Sequence, residues 1–142
     1  MRVVATGAIY FAAVFAAGFC LGVLRTLLVQ PLLGPLSAVA LELPIILGIA
    51  WLACTRILGR HPLTRGGAGI MGALAFALLM LGELMVSTLL GGRSWSGHLA
   101  LYAQAQHQLG LAGQLVYALF PVIQVQQAMH ARRAREGRSA GR

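Results

Sequence analysis

Four long apolar runs, separated by clusters of glycine, proline and arginine, set the pattern of the chain. The first extends from Val3 to Leu24. At about 1.5 Å per residue, its roughly 22 residues cross a hydrocarbon core of about 30 Å. It is longer than the apolar stretch of a cleaved signal, about 7–15 residues, and the bulky Phe19 before Cys20 argues against lipoprotein processing. A retained helix is expected. The other three spans are predicted over 36–54, 68–90 and 109–128. Arg25 to Pro35, with Pro31 and Gly34, reads as the first turn, Arg56 to Gly67 as a polar loop, and Gly91 to Gly97 as the third break. Pro44 cannot donate a backbone hydrogen bond and predicts a kink or irregular turn inside the second span. Between His98 and Gln108, apolar Leu99, Leu101, Tyr102 and Ala105 are interleaved with Gln104, Gln106 and His107. That pattern suits a short amphipathic segment along the interface, or an extension of the last helix.

Composition decides what these runs mean. Of 142 residues, 58% are hydrophobic and 10% charged, where water-soluble domains carry about 25% charged residues. Such a chain cannot cover its own surface as a soluble monomer, and disorder requires the opposite bias. The expected fold is all-α: an integral membrane bundle of four transmembrane helices over 1–129, followed by a basic tail over 130–142. Arginine placement sets the expected orientation. Arg2, then Arg56, Arg60 and Arg65, then Arg132, Arg133, Arg135, Arg138 and Arg142 share one side, leaving only Arg25 and Arg93 opposite. Positive residues accumulate on the cytoplasmic side, so both termini are expected there.

This orientation puts two acids at one depth. Glu42 lies about 9 Å and Glu83 about 10 Å inside the outer ends of their spans, counted by helical rise. Arg25 ends the first span on that side and Arg93 follows the third. Ionised side chains in lipid face the bundle interior, pair, or line water, so Arg25, Glu42, Glu83 and Arg93 form the expected intramembrane polar cluster. Because Arg25 and Glu42 flank the first turn, antiparallel helices bring them to one level, where Glu42 is expected to accept two hydrogen bonds from the guanidinium. Two roles fit: a structural lock between helices, or a proton or cation site whose like-charged acids tune each other.

Other chemistry lacks its parts. The chain has no aspartate, so Ser-His-Asp and aspartic protease sites are excluded, and Cys20 and Cys54 are too far apart in sequence for a C-x-x-C site. Both are expected as buried free thiols. His61, His98, His107 and His130 fall in loops or at helix ends, unlike facing haem ligands, and are expected to be solvated or interfacial. No metal or cofactor is expected. Gly66-Gly67-Ala68-Gly69 lacks the lysine of a phosphate loop.

Small residues are the packing signal. Gly18 and Gly22 in one span, and Ala68, Gly72, Ala75 and Gly82 in another, are expected to let helix backbones approach closely. Trp95 and Tyr102 suit an outer aromatic belt. The tail arginines Arg132, Arg133, Arg135 and Arg138 are expected to contact anionic lipid head groups or a partner. Without aromatic stacking partners or a folded module, nucleic acid is not an expected partner.

Gly18-x-x-x-Gly22-x-x-Arg25, Pro31-x-x-Gly34 and Glu42-x-Pro44 together resemble a pattern in small, uncharacterised four-span inner-membrane proteins of bacteria. The resemblance covers about the first 50 residues. It implies an inner-membrane location and singles out Arg25, Glu42 and Pro44 as a unit, and it implies no activity. The missing catalytic and cofactor residues, the small-residue stripes and the basic tail make the expected function non-enzymatic: an accessory or scaffold subunit in contact with membrane lipids and with a protein partner or a second copy. The alternative is a small proton- or cation-coupled transporter using Glu42 and Glu83.

Overall fold

The computed structural model describes residues 1–140, and Arg142 of the expected tail lies outside them. The described residues form helices joined by short turns: α1 (Arg2–Leu24), α2 (Gln30–Leu33), α3 (Pro35–Arg60), α4 (Arg65–Met85), α5 (Trp95–Ala100) and α6 (Ala105–Ala140). Four helical stretches are long and apolar enough to cross a membrane: Arg2–Leu33, Pro35–Arg60, Arg65–Leu90 and Ala105–Arg138. They pack as a ring, with α1 beside α3 and α4, and α6 beside the same two.

The expected first turn contracts to one residue. From Arg25 to Val29 the backbone widens into a π-helical segment and then continues through α2 to Leu33. The Pro31 ring would clash with the carbonyl one α-helical turn earlier, and a π-bulge moves that carbonyl out of line. The chain reverses only at Gly34, whose φ of 79° and ψ of 167° lie in a region closed to side chains. Gly34→Ala should lower stability by about 1–3 kcal/mol, the usual cost of such backbone strain, read as an earlier unfolding midpoint in a mild-detergent denaturant titration. A midpoint equal to that of the unmodified protein would show that the turn relaxes.

Other boundaries also move. The helix α3 continues through the expected loop to Arg60 and runs without interruption past Pro44, so no irregular turn forms there. Arginine stems can lie along a helix while their heads reach water, which is why Arg56 and Arg60 do not end it. Only 61–64 connect α3 to α4, where the Thr64 hydroxyl accepts from the Gly67 N–H at 3.2 Å. A second π-helical segment, Val86–Leu90, ends the third span, followed by Gly92 at φ 62°. The amphipathic stretch splits: α5 and a 3₁₀ turn over Leu101–Ala103 cap the bundle, and α6 begins at Ala105. The helix α6 continues into the expected basic tail as far as Ala140, with residues 131–138 exposed.

One half of the bundle is filled and the other is open. Tyr10 of α1 stacks on Tyr117 of α6 across the ring, with centroids 4.5 Å apart, and the Tyr10 hydroxyl donates to the Tyr117 carbonyl at 3.2 Å. Trp51 meets Phe120 edge-on at 5.0 Å. With fully buried Cys54, Met71 and Ala75, these rings close the half nearer the α6 C-terminus. Small residues permit the close approach. A Cβ on Gly72 would overlap the carbonyl oxygen of Ala118, and one on Gly82 would lie 2.8 Å from the Phe15 ring.

Gly18 and Gly22 behave differently from the expectation. A Cβ at Gly18 would find Ile46 Cδ1 at an ordinary 3.7 Å, and one at Gly22 only the Arg25 guanidinium at 3.9 Å. They do not join helices at close range; they leave space. Cys20 likewise departs from expectation, since it is exposed on the outer face of α1 while Cys54 is buried. Both thiols are free.

Candidate functional site: a polar cavity within the bundle

Beyond the Tyr10–Tyr117 layer the helices enclose a cavity of about 750 Å³, lined from α1, α3, α4, α6 and the α5 cap. Gly18 and Gly22 border it, as do both π-helical segments through Arg25 and Ser87. The i, i+4 hydrogen bonds interrupted by a π-bulge change which side chains face inward, and such bulges often mark functional positions. Here each turns a polar side chain toward the same space.

All four members of the expected polar cluster line this cavity. Arg25 Nε lies 3.2 Å from Glu42 Oε2, with the side chains 31% and 15% exposed. The contact differs from the expected two-pronged one. It runs through Nε alone, and the two buried atoms are not aligned as a hydrogen bond. It is an ion pair held by charge. Glu83 has a different partner: its carboxylate accepts a short hydrogen bond from the Gln114 amide of α6. Arg93 lies at the exposed rim and forms no ion pair among the described residues.

The cap adds groups that the expected cluster did not include. His98, 9% exposed, is buried rather than solvated. Its ring stands edge-on to Tyr102 at 5.7 Å, and Tyr102 stands edge-on to His107 at 6.3 Å. Tyr102 therefore turns inward, its hydroxyl 3.9 Å from Met80 Sδ, while Trp95 remains exposed as a belt residue would. Burial pushes the Tyr102 hydroxyl above its usual range, and the nearby Glu83 carboxylate adds to the effect. It stays protonated and able to donate.

Among the described residues, six buried side-chain atoms lack a hydrogen-bond partner: Arg25 Nε, Glu42 Oε2, Ser87 Oγ, His98 Nδ1, Gln114 Oε1 and Tyr117 Oη. All six residues line this one cavity. Buried polar groups are normally satisfied, and each exception requires a reason. Arg25 Nε and Glu42 Oε2 face each other as the ion pair, and the other four exceptions, on Ser87, His98, Gln114 and Tyr117, share one address and one reason: the space between them is where their partners go. Sequence reasoning missed Ser87, His98, Gln114 and Tyr117. The signal lay in α6, where His107, Gly110, Gln114 and Tyr117 recur at helical spacing along one face.

The remaining expected site residues lie elsewhere. Pro44 is inside α3, Gly72 and Gly82 are packing positions, and Arg132, Arg133, Arg135 and Arg138 are exposed on the α6 extension. No group of three His, Cys, Asp or Glu side chains suited to a metal ion occurs among the described residues.

Four apolar spans around a charged interior define the architecture of an integral membrane protein. No protein-family model matches the chain, and no curated protein or solved structure matches it either.

Proposed function

We propose that the protein is a small proton- or cation-coupled carrier, not an enzyme, whose cargo enters the cavity and whose coupling groups are Glu83 and Glu42. The observation behind this reading is the convergence of four unpartnered buried side-chain atoms, on Ser87, His98, Gln114 and Tyr117, on the cavity that also holds the Arg25–Glu42 pair. A purely structural lock would need Arg25 and Glu42 alone. It would leave Ser87, His98, Gln114 and Tyr117 unexplained, each at a desolvation cost of about 1–3 kcal/mol. Glu83 is suited to exchange a proton because its partner is a neutral amide, which accommodates either charge state of the acid. The aromatic layer of Tyr10, Tyr117, Trp51 and Phe120 closes the far side, as alternating access requires of one gate.

The arginine distribution supports an orientation with both termini cytoplasmic, which makes the cavity open toward the outside, and the resemblance of about the first 50 residues to small bacterial proteins supports an inner-membrane location. A second reading draws on the α6 extension. Its exposed arginines suit anionic head groups, a protein partner or a second copy of the chain, so an accessory role in a larger complex fits the same molecule.

Proteoliposomes with an internal pH dye and an imposed potassium diffusion potential test the carrier reading. Protein-dependent proton entry is expected. Glu83→Gln should abolish it, with an unfolding midpoint close to that of the unmodified protein, and Glu42→Gln should reduce it. Flux no greater than in empty liposomes, or unchanged in both variants, would remove the proposal.

A further inference from the structure

The cavity wall is polarised along its depth. On α4, Glu83 lies one helical turn deeper than Ser87, about 6 Å by helical rise, and Arg93 follows beyond the Gly91–Gly92 turn. On α6, His107 is near the rim, Gln114 is level with Glu83, and Tyr117 forms the floor. The deep part is rich in acceptors: the Glu83 carboxylate and the unpartnered Gln114 Oε1. The rim offers one cation, Arg93, without an ion pair among the described residues, and one imidazole nitrogen, His98 Nδ1, buried and unpartnered. Between them Arg25 is already neutralised by Glu42.

Resting on the reading of this cavity as a cargo site, we infer that its ligand is a primary-amine zwitterion. The ammonium sits deep, donating to Glu83 and Gln114 Oε1, and a phosphate or carboxylate lies at the rim against Arg93 and His98. An anion alone would leave Gln114 Oε1 without a donor and set its charge near Glu83. A simple cation would leave the rim donors unused. A zwitterion in this orientation satisfies both ends, through charge-assisted hydrogen bonds.

The cavity also reaches the apolar outer surface. Phe19, Val23 and Leu27 line it and are 46%, 43% and 68% exposed on the α1 flank. An acyl chain attached to the zwitterion can lie along them in the hydrocarbon layer. The same head-group chemistry therefore has two sources, a lipid and a free solute, and a volume of about 750 Å³ holds either.

Binding to the full-length protein in dodecyl maltoside distinguishes them, with four probes: free phosphoethanolamine, and the dihexanoyl forms of phosphatidylethanolamine, phosphatidylcholine and phosphatidylglycerol. One of the two ethanolamine probes is expected to bind about tenfold or more tighter than the choline and glycerol lipids. Choline has no N–H to donate and glycerol no ammonium, and a lost charge-assisted hydrogen bond is worth about that factor. The lipid binding tighter assigns a membrane source, and the free probe binding tighter assigns a solute. Glu83→Gln should erase the preference for the amine. Arg93→Gln, at an exposed position, should weaken the ethanolamine and glycerol probes alike while leaving the unfolding midpoint close to that of the unmodified protein. Neither ethanolamine probe binding tighter than the glycerol lipid, or no binding of any probe, overturns the inference. Proton flux without amine selectivity would remove this ligand and keep the carrier; amine selectivity without flux would do the reverse.

Discussion

Arg25→Ala should be the most damaging single change among the charged residues, at about 3 kcal/mol, the lower end of the cost of removing one partner from a buried pair, because this pair is part-buried. The reason lies in what remains. Without the guanidinium, Glu42 loses the cation 3.2 Å away, and Glu42 and Glu83 are left lining one cavity with only the rim arginine, Arg93, beside them. Glu42→Ala should cost less, because Arg25 retains a carboxylate, Glu83, in the same cavity. The double variant should be more stable than Arg25→Ala alone, since removing Glu42 relieves the stranded charge. Denaturant unfolding in mild detergent measures all three. A double-variant loss equal to the sum of the single losses would show that the 3.2 Å contact carries no coupling.

Gly72→Ala is expected to rank beside it. The added methyl would coincide with the Ala118 carbonyl oxygen, which is backbone and cannot rotate away, so α4 and α6 must separate. Overpacking a filled core costs about 1–3 kcal/mol and occasionally more, and a backbone obstacle puts this site at the upper end. Gly113→Ala provides the comparison. Its Cβ would overlap Leu43 Cδ1, the tip of a side chain that can change rotamer, so the loss should be smaller. Gly18→Ala and Gly22→Ala should be near neutral in stability, within about 0.5 kcal/mol, because no backbone opposes them. A large loss at Gly18 or Gly22, with none at Gly72, would reverse this assignment of packing and cavity-lining glycines.

Much of this architecture was legible in the sequence, and what was not has physical reasons. Four spans followed from apolar runs bounded by glycine, proline and arginine. The Arg25–Glu42 contact followed from two charges flanking a reversal between antiparallel helices. The turn itself is shorter than its residues suggest: Pro31 and Gly34 point to a turn over Arg25–Pro35, and a π-bulge instead carries the helix onward to Gly34. Arg56 and Arg60 suggested a loop, yet an arginine at a membrane surface is compatible with helix. The G-x-x-x-G of Gly18 and Gly22 has the spacing of a packing motif, but spacing does not say whether a facing helix comes close or leaves a gap. The polar residues of the span over 109–128 mark the wall of a cavity, Gln114 and Tyr117 above all, and their polarity alone does not say which way they face. Burial of His98 depends on how α5 folds over the bundle, which no local pattern around Ser94–Gly97 encodes.

Thiol labelling of Ser87→Cys, in a background with Cys20→Ala and Cys54→Ala, tests the central claim most directly. Ser87 is part-buried within the third apolar span, yet it lines the cavity; Leu41, 54% exposed on α3, does not. The account predicts that a charged, membrane-impermeant thiol reagent modifies Ser87→Cys from the outside of sealed vesicles and leaves Leu41→Cys unmodified in lipid. Protection of Ser87→Cys from both sides would contradict a polar cavity within the bundle, and modification only from the cytoplasmic side would contradict its orientation.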